Sequence, residues 1–223
     1  MSVDVSPAPE KRKVRMSKSS RGRSKVKLSR SLGIVLTPKA AKYFEKRPYP
    51  PGDHGRNRRK ETEYAIRLRE KQRLRAQYGI REAQLKIAIE TAQKKSGKTG
   101  DLLIQLLETR LDALVLRSGF ARTIAQARQL VVHRHIGVNG ERVDKPSFRV
   151  SEGDNIHVLK TSRNLDLFVV AAAGGHAQVL PDVPAYLEVN LDALRSKLLR
   201  LPERSEVPIE CDVQLVVEFY AGK

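Results

Sequence analysis

Arg56, Arg58, Arg59 and Lys60 stand almost side by side, and Lys46, Arg47 and His54 come shortly before them. Pro48, Pro50, Pro51, Gly52 and Gly55 lie between, so the stretch is a stiff, turn-rich loop and not a helix. The chemistry open to such a loop is charge neutralisation. Proline fixes the backbone, glycine permits close approach, and Arg and Lys neutralise phosphate. Lys46, Arg47, His54, Arg56, Arg58, Arg59 and Lys60 are therefore candidate RNA contacts. The alternative is an ordinary surface loop, which would not need this density of cations.

The cationic run continues into an element that can present it. From Thr62 to Gln77 the sequence reads as a helix with a narrow apolar seam and a wide basic face. Glu63 can pair with Arg67 one turn on, but many cations lack such a partner. Arg67, Lys71 and Arg73 on this helix, with Tyr78 at its close, are further candidate RNA contacts, and Gly79 is a plausible cap. A second helix is expected from about Arg81 to Lys95, and a leucine-rich helical stretch over 101–118. Gly97-Lys98-Thr99 between them has phosphate-loop letters, but the full glycine-rich pattern is missing and a helix precedes it, so nucleotide binding is set aside.

Charge and composition say what partner these elements serve. The 223 residues carry 43 Lys and Arg against 25 Asp and Glu, a formal net charge of +18. Residues 1–60 alone hold 18 basic and 4 acidic residues, whereas residues 163–223 hold 6 and 9. Basicity serving solubility alone would not concentrate in the first quarter; a partner rich in negative charge accounts for the gradient. Residues 1–31, rich in Ser, Lys and Arg, read as disordered in isolation. An RNA-binding arm is favoured over a solvated tail, and over a transit peptide because Asp4 and Glu10 come early. No apolar run reaches the length of a membrane span, and cytoplasmic residence is the default. The one cysteine, Cys211, excludes an internal disulfide framework or a cysteine-based zinc site and is read as an inert, buried thiol.

Residues 109–160 form a compact pattern: a helix opened by Arg110-Leu111-Asp112, a turn, a helix over 124–134 with Thr123 as its cap, then short strands joined by Asn139-Gly140. At about 100° per residue, Gln126, Gln129 and His133 share one side of the second helix. This run resembles the S-four RNA-binding domain. The likeness lies in Arg110-Leu111-Asp112, Gly119-Phe120-Ala121, Ala127-Arg128-Gln129-Leu130-Val131, His135-Ile136, Val138-Asn139-Gly140, Pro146-Ser147 and Gly153-Asp154. In that family the second helix and first hairpin form a basic groove for structured RNA. The resemblance implies Arg110, Arg117, Arg122, Arg128, Gln129, His133 and His135 as contacts. Arg128 projects about 130–160° from the Gln126 and His133 directions, so a structural pairing with Asp112 is its alternative role.

Beyond the module, Tyr78-Gly79-Ile80-Arg81-Glu82, Thr99-Gly100, Leu102-Leu103, Leu106-Leu107-Glu108, Pro50-Pro51-Gly52 and Pro202-Glu203-Arg204-Ser205 are similar to the bacterial-type ribosomal protein S-four family. Leu215 to Tyr220 matches that family's closing strand. Many relatives carry four N-terminal cysteines for zinc; this chain has none there, and neither a metal nor another cofactor is implied. The resemblance implies an α+β protein: a mostly helical domain with an inserted small RNA-binding module and a basic, extended N-terminal arm. The expected division is arm and loop 1–60, helical domain 61–108, module 109–163, and a part 164–223 that packs back on the helical domain. It further implies a non-enzymatic primary binder of small-subunit ribosomal RNA that nucleates assembly of the subunit body and influences translational accuracy. Proteins S-three, S-five and S-twelve would lie beside it, with messenger RNA near where it enters the subunit. A cytoplasmic ribosome fits better than an organellar one. Two other functions compete with this one: a free RNA chaperone, and an RNA-modifying enzyme of the pseudouridine synthase type with Asp112 as nucleophile. Only 61 residues follow Ser162, too few for a catalytic domain.

Overall fold

The computed structural model describes residues 24–57 and 60–222. Residues 1–23, most of the expected basic arm, and Arg58 and Arg59 of the loop lie outside these. Local signals start several helices where side-chain oxygens can cap them. Thr62 accepts from the Ala65 N–H at 3.3 Å and opens α3, Glu63–Gln77. Thr123 accepts from the Gln126 N–H at 3.2 Å and opens α7, Ile124–Val132. Such caps are worth about 1 kcal/mol each. The others are α1 (Lys25–Leu32), α2 (Pro38–Lys46), α4 (Glu82–Gln93), α5 (Thr99–Glu108), α6 (Leu111–Arg117), α8 (Asp166–Ala172) and α9 (Val213–Ala221).

Two parts share one core. In the helical part α3 packs on α9 and α4 on α5. In the module α6 packs on α7, and buried residues of both share a core with an antiparallel sheet made of β1 (Ile136–Val138), β2 (Glu141–Arg142), β3 (Asn155–Val158), β4 (Leu187–Asn190) and β5 (Arg195–Leu198), in the order β2-β1-β3-β5-β4. Asn139 and Gly140 both take positive φ, 52° and 91°, which turns β1 into β2; glycine adopts this backbone without strain. Leu74, Leu85 and Leu103 of the helical part join Leu111, Ile136 and Ile156 of the module in one continuous buried cluster. Burial of each contributes about 1.5–3 kcal/mol.

The structure corrects four expectations. Residues 25–32 are helical rather than disordered: Ser29 and Leu32 are buried, and the Arg30 Nε donates to the carbonyls of Arg47 and Tyr49, both at 3.0 Å. Tertiary contact supplies the ordering that local composition lacks. The stretch 101–118 is two helices, because Arg110 is extended (ψ 141°) and bridges to Arg149. Leu215–Tyr220 is not a strand but lies within α9, where Asp212 accepts from the Gln214 and Leu215 N–H groups and Val213, Val216 and Phe219 are buried at three-residue spacing. Residues 164–223 do not all return to the helical part. Strand β5 pairs with β3 and carries β4, so this stretch completes the module's sheet, and α9 is the segment that lies on α3.

Candidate nucleic-acid interface

The loop after α2 is held from within and leaves its cations outside. Arg56 Nη2 donates to the Tyr49 hydroxyl at 3.2 Å, and the Arg56 and Arg30 guanidinium carbons lie 4.9 and 5.1 Å from the Tyr49 ring centre. The hydrogen bond from Arg56 holds the Tyr49 phenol below its ordinary pKa. Lys46, Arg47, His54, Arg56 and Lys60 are all exposed. A ring clamped by arginines fixes the loop's path while its remaining cations face solvent, an arrangement suited to phosphate.

The cations of α3 are mostly turned to other work. Arg67 pairs with Glu63 at 3.2 Å and with Glu218 of α9 at 3.1 Å. Arg73 donates through Nε to the Leu32 carbonyl and through Nη1 to Glu70, both at 2.7 Å. Lys71 is buried; its ammonium bonds Glu82 at 2.9 Å and sits 4.5 Å from the Phe219 ring centre. Arg67 and Arg73 thus spend their charge fastening α9 and α1, and Lys71 has no surface to offer RNA.

Tyr78 and Arg117 are likewise internal. Both converge on Glu108, whose side chain is fully buried. It accepts from Arg117 Nε at 2.5 Å, from the Tyr78 hydroxyl at 2.6 Å and from the Tyr186 hydroxyl at 2.7 Å. Burial, and then the carboxylate beside them, raise both phenol pKa values. Burial opposes the Arg117 charge, but Glu108 outweighs it and raises that pKa also. Arg110 is buried and grips Asp112 with two bonds of 2.9 and 2.7 Å. Four sequence-derived contacts, Lys71, Tyr78, Arg110 and Arg117, are therefore corrected to structural groups. The carboxylates that claim them lie elsewhere in the chain or beside them in the core.

What remains on the module is a polar strip along α7. Arg122 before the helix and Gln129 and His133 on it are exposed. Arg128 lies 3.6 Å from Asp112, with 39% of its side chain accessible, so it leans inward as its helical angle required. His135 is half-buried; its Nδ1 is 2.9 Å from the Ser162 hydroxyl, and burial, then His133, lower its pKa. Sequence reasoning missed a second set of cations: Arg142 and Arg195 with His157 on the sheet, and Lys160 and Arg163 on the short helical turn after β3. The alternation Asn155-Ile156-His157-Val158 and Arg195-Ser196-Lys197-Leu198 was the available signal.

Asp112 and Cys211, the two groups with a covalent role to weigh, are both enclosed by the fold. Asp112 is sealed beneath Arg110; burial raises its pKa, and Arg110 works against that rise. Burial pushes the Cys211 thiol up to about 12, which leaves it protonated and unreactive. Among the described residues no group of His, Cys, Asp or Glu is placed to hold a metal ion, and no helix is long and apolar enough to cross a membrane.

Comparison with known proteins identifies the frame that carries this surface. The model of the ribosomal protein S4/S9 N-terminal domain matches residues 21–108, and that of the S4 domain matches residues 109–156. The chain is 66% identical over 209 residues to the small ribosomal subunit protein uS4 of Clavibacter michiganensis subsp. michiganensis, covering 93% of this chain and all of the relative. The chain belongs to the ribosomal protein S4 family. The uS4 proteins of Arthrobacter sp. and Micrococcus luteus are 66% and 62% identical over 207 residues each, again over their full lengths. The boundary between the two family matches falls at Thr109, where the structure separates α5 from α6. Within the S4 family frame, exposed cations sit on the loop after α2 and on the module, and also on α4 and the turn that follows it, at Lys86, Lys94, Lys95 and Lys98.

Proposed function

We propose that this chain is a structural constituent of the small ribosomal subunit that binds small-subunit ribosomal RNA without catalysing a reaction. The observation that carries the proposal is the match, over nearly the whole chain, to proteins named for that subunit. The exposed cations supply the chemistry: Lys46, Arg47, His54, Arg56 and Lys60 on the loop, with Arg122, Gln129 and His133 along α7. The loop neutralises phosphate, and the module recognises the shape of folded RNA, whose major groove is closed to side chains. Arg58 and Arg59 extend the loop's charge in sequence.

On this reading the protein binds early, nucleates folding of the subunit body and tunes translational accuracy. Its partners are proteins S-three, S-five and S-twelve and messenger RNA near where it enters the subunit, on a cytoplasmic ribosome. The pseudouridine synthase alternative fails on Asp112, which two Arg110 bonds hold in the core, out of reach of a base.

The test is equilibrium binding to small-subunit ribosomal RNA across salt. Each neutralised phosphate contributes roughly −0.7 to −0.9 to the slope of log K against log salt, and a slope steeper than about −5 is expected. Replacing Arg56, Arg58 and Arg59 by Ala should weaken binding while lowering the thermal midpoint by no more than about 4 °C, since only the exposed Arg56 contact to Tyr49 is lost. A slope shallower than about −2, or full-strength binding by that variant, would refute the assignment.

A further inference from the structure

The sheet of the module has two faces, and strand register assigns every residue to one of them. Ile136 pairs with Val158, Val138 with Ile156, and Ile156 with Ser196; all five are buried, so this face meets the core. The opposite face carries a cross-strand row from Arg142 through Gly137 and His157 to Arg195 and Asn190, spanning β2, β1, β3, β5 and β4, with Asn155, Lys197 and Glu188 in the row beside it. Residues directly opposite in an antiparallel pair have Cβ atoms about 5 Å apart, so these side chains line one trough. An open cleft of about 800 Å³ lies over it, lined also by Lys160 and Arg163.

Gly137 shapes the floor. A Cβ there would lie 2.7 Å from the His157 Nε2 and 2.9 Å from the Glu141 carbonyl, so the imidazole occupies the space that any other residue would fill. His157 pairs directly with Arg195 and shares the cleft lining with Arg163, and burial, then the charge of Arg195, lower its pKa. No acidic residue lines the cleft. Arg142, Lys160 and Arg195 make no ion pair or side-chain hydrogen bond among the described residues, unlike the cations of α3. Only at the far edge, where Lys197 faces Glu188 across β5 and β4, is the charge balanced.

We infer that this outer sheet face is a second RNA-binding site, which takes a phosphodiester backbone segment of small-subunit ribosomal RNA between Arg142, Lys160 and Arg195, with His157 beneath it. The inference rests on the rRNA-binding reading above and deepens it: beyond the surface of α7 and the tip of the first hairpin, the RNA contact extends from Arg142 across the outer sheet face to Arg195. Cations left without carboxylate partners on an open, acid-free surface repel one another and gain most from an extended polyanion.

The test uses the full-length chain and its Arg142→Gln, Lys160→Gln, Arg195→Gln triple variant. All three residues are exposed, so the thermal midpoint should hold. Binding to small-subunit ribosomal RNA should weaken about tenfold or more at physiological salt, with the salt slope shallower by about 2. One discrete set of nucleotides should lose backbone protection from hydroxyl radicals, while the rest of the footprint stays. Wild-type affinity and a complete footprint in the variant would overturn the inference and leave the rRNA reading standing. An intact RNA footprint with lost cross-links to a neighbouring protein in reconstituted subunits would overturn it in favour of an acidic protein partner. Failure of the unmodified chain to bind the RNA would instead defeat the parent reading.

Discussion

Glu108→Gln removes one charge from a site where no water can replace it. The carboxylate is fully buried and accepts from Arg117, Tyr78 and Tyr186 at 2.5 to 2.7 Å. These groups come from the end of α6, the end of α3 and the segment before β4, so the carboxylate ties the helical part to the module. Glutamine keeps the shape but offers one acceptor oxygen and two donor hydrogens. Arg117, only 10% accessible, then lacks a counter-charge, and at least one tyrosine hydroxyl lacks an acceptor. Breaking a buried pair from one side costs about 3–5 kcal/mol. For a chain of this size about 2–4 °C of thermal midpoint is lost per kcal/mol, so a drop of roughly 6–20 °C is expected. Thermal melting followed by circular dichroism measures it. The double variant Glu108→Leu, Arg117→Met should recover much of the loss, because no unpaired charge remains. A midpoint within about 2 °C of wild type for Glu108→Gln would refute the claim that this carboxylate is structurally required.

Lys71→Met should lower stability but leave ribosomal RNA affinity at the wild-type value for the folded fraction, since the ammonium faces Glu82 and the Phe219 ring and not solvent; a tenfold affinity loss would restore it to the interface. Asp112→Asn should destabilise by about 3 kcal/mol, because Arg110 is left without its charge partner, and mass spectrometry should find no modified base in RNA incubated with either form. His135 and His157 both titrate below the ordinary histidine value, so the neutral form is favoured in the fold. Stability from them is present above about pH 6.5 and is lost as pH falls through their depressed folded values; melting from pH 7.5 to 5 should show a falling midpoint, with the fall reduced in His135→Asn.

Much of the fold could be read from local signals. Thr62 and Thr123 mark helix starts, and Asn139-Gly140 marks a hairpin, because each acts within four residues. Residues 213–221 misled because Leu215, Val216, Val217, Phe219 and Tyr220 are apolar on every side, so no period separates helix from strand. Burial against α3 decides it. Strand β5 is short, and Arg195 and Lys197 hide its inward Ser196 and Leu198. The site divided in the same way. The loop cations were legible from composition because prolines keep them off any helix and on the surface. The internal cations were not, because their partners are remote: Arg67 meets Glu218, and Lys71 meets Glu82 across a turn. Arg142 and Arg195 come onto one sheet face only through three successive strand pairings, β2 with β1, β1 with β3 and β3 with β5.

The sheet order sets a timetable for the chain as it is made. Strand β3 ends at Val158, yet the neighbour that satisfies its outer edge, β5, begins at Arg195. At about 5–20 residues per second, the nascent module waits roughly 2–8 s with the β3 edge bare. An unpaired edge recruits other strands. His157 on the outward face and the nearby charges of Arg163 and Lys160 are there from the start, and charge of one sign keeps a second nascent copy at a distance until β5 arrives. A fragment cut at residue 163 would hold that bare edge permanently, and would be the form most prone to self-association.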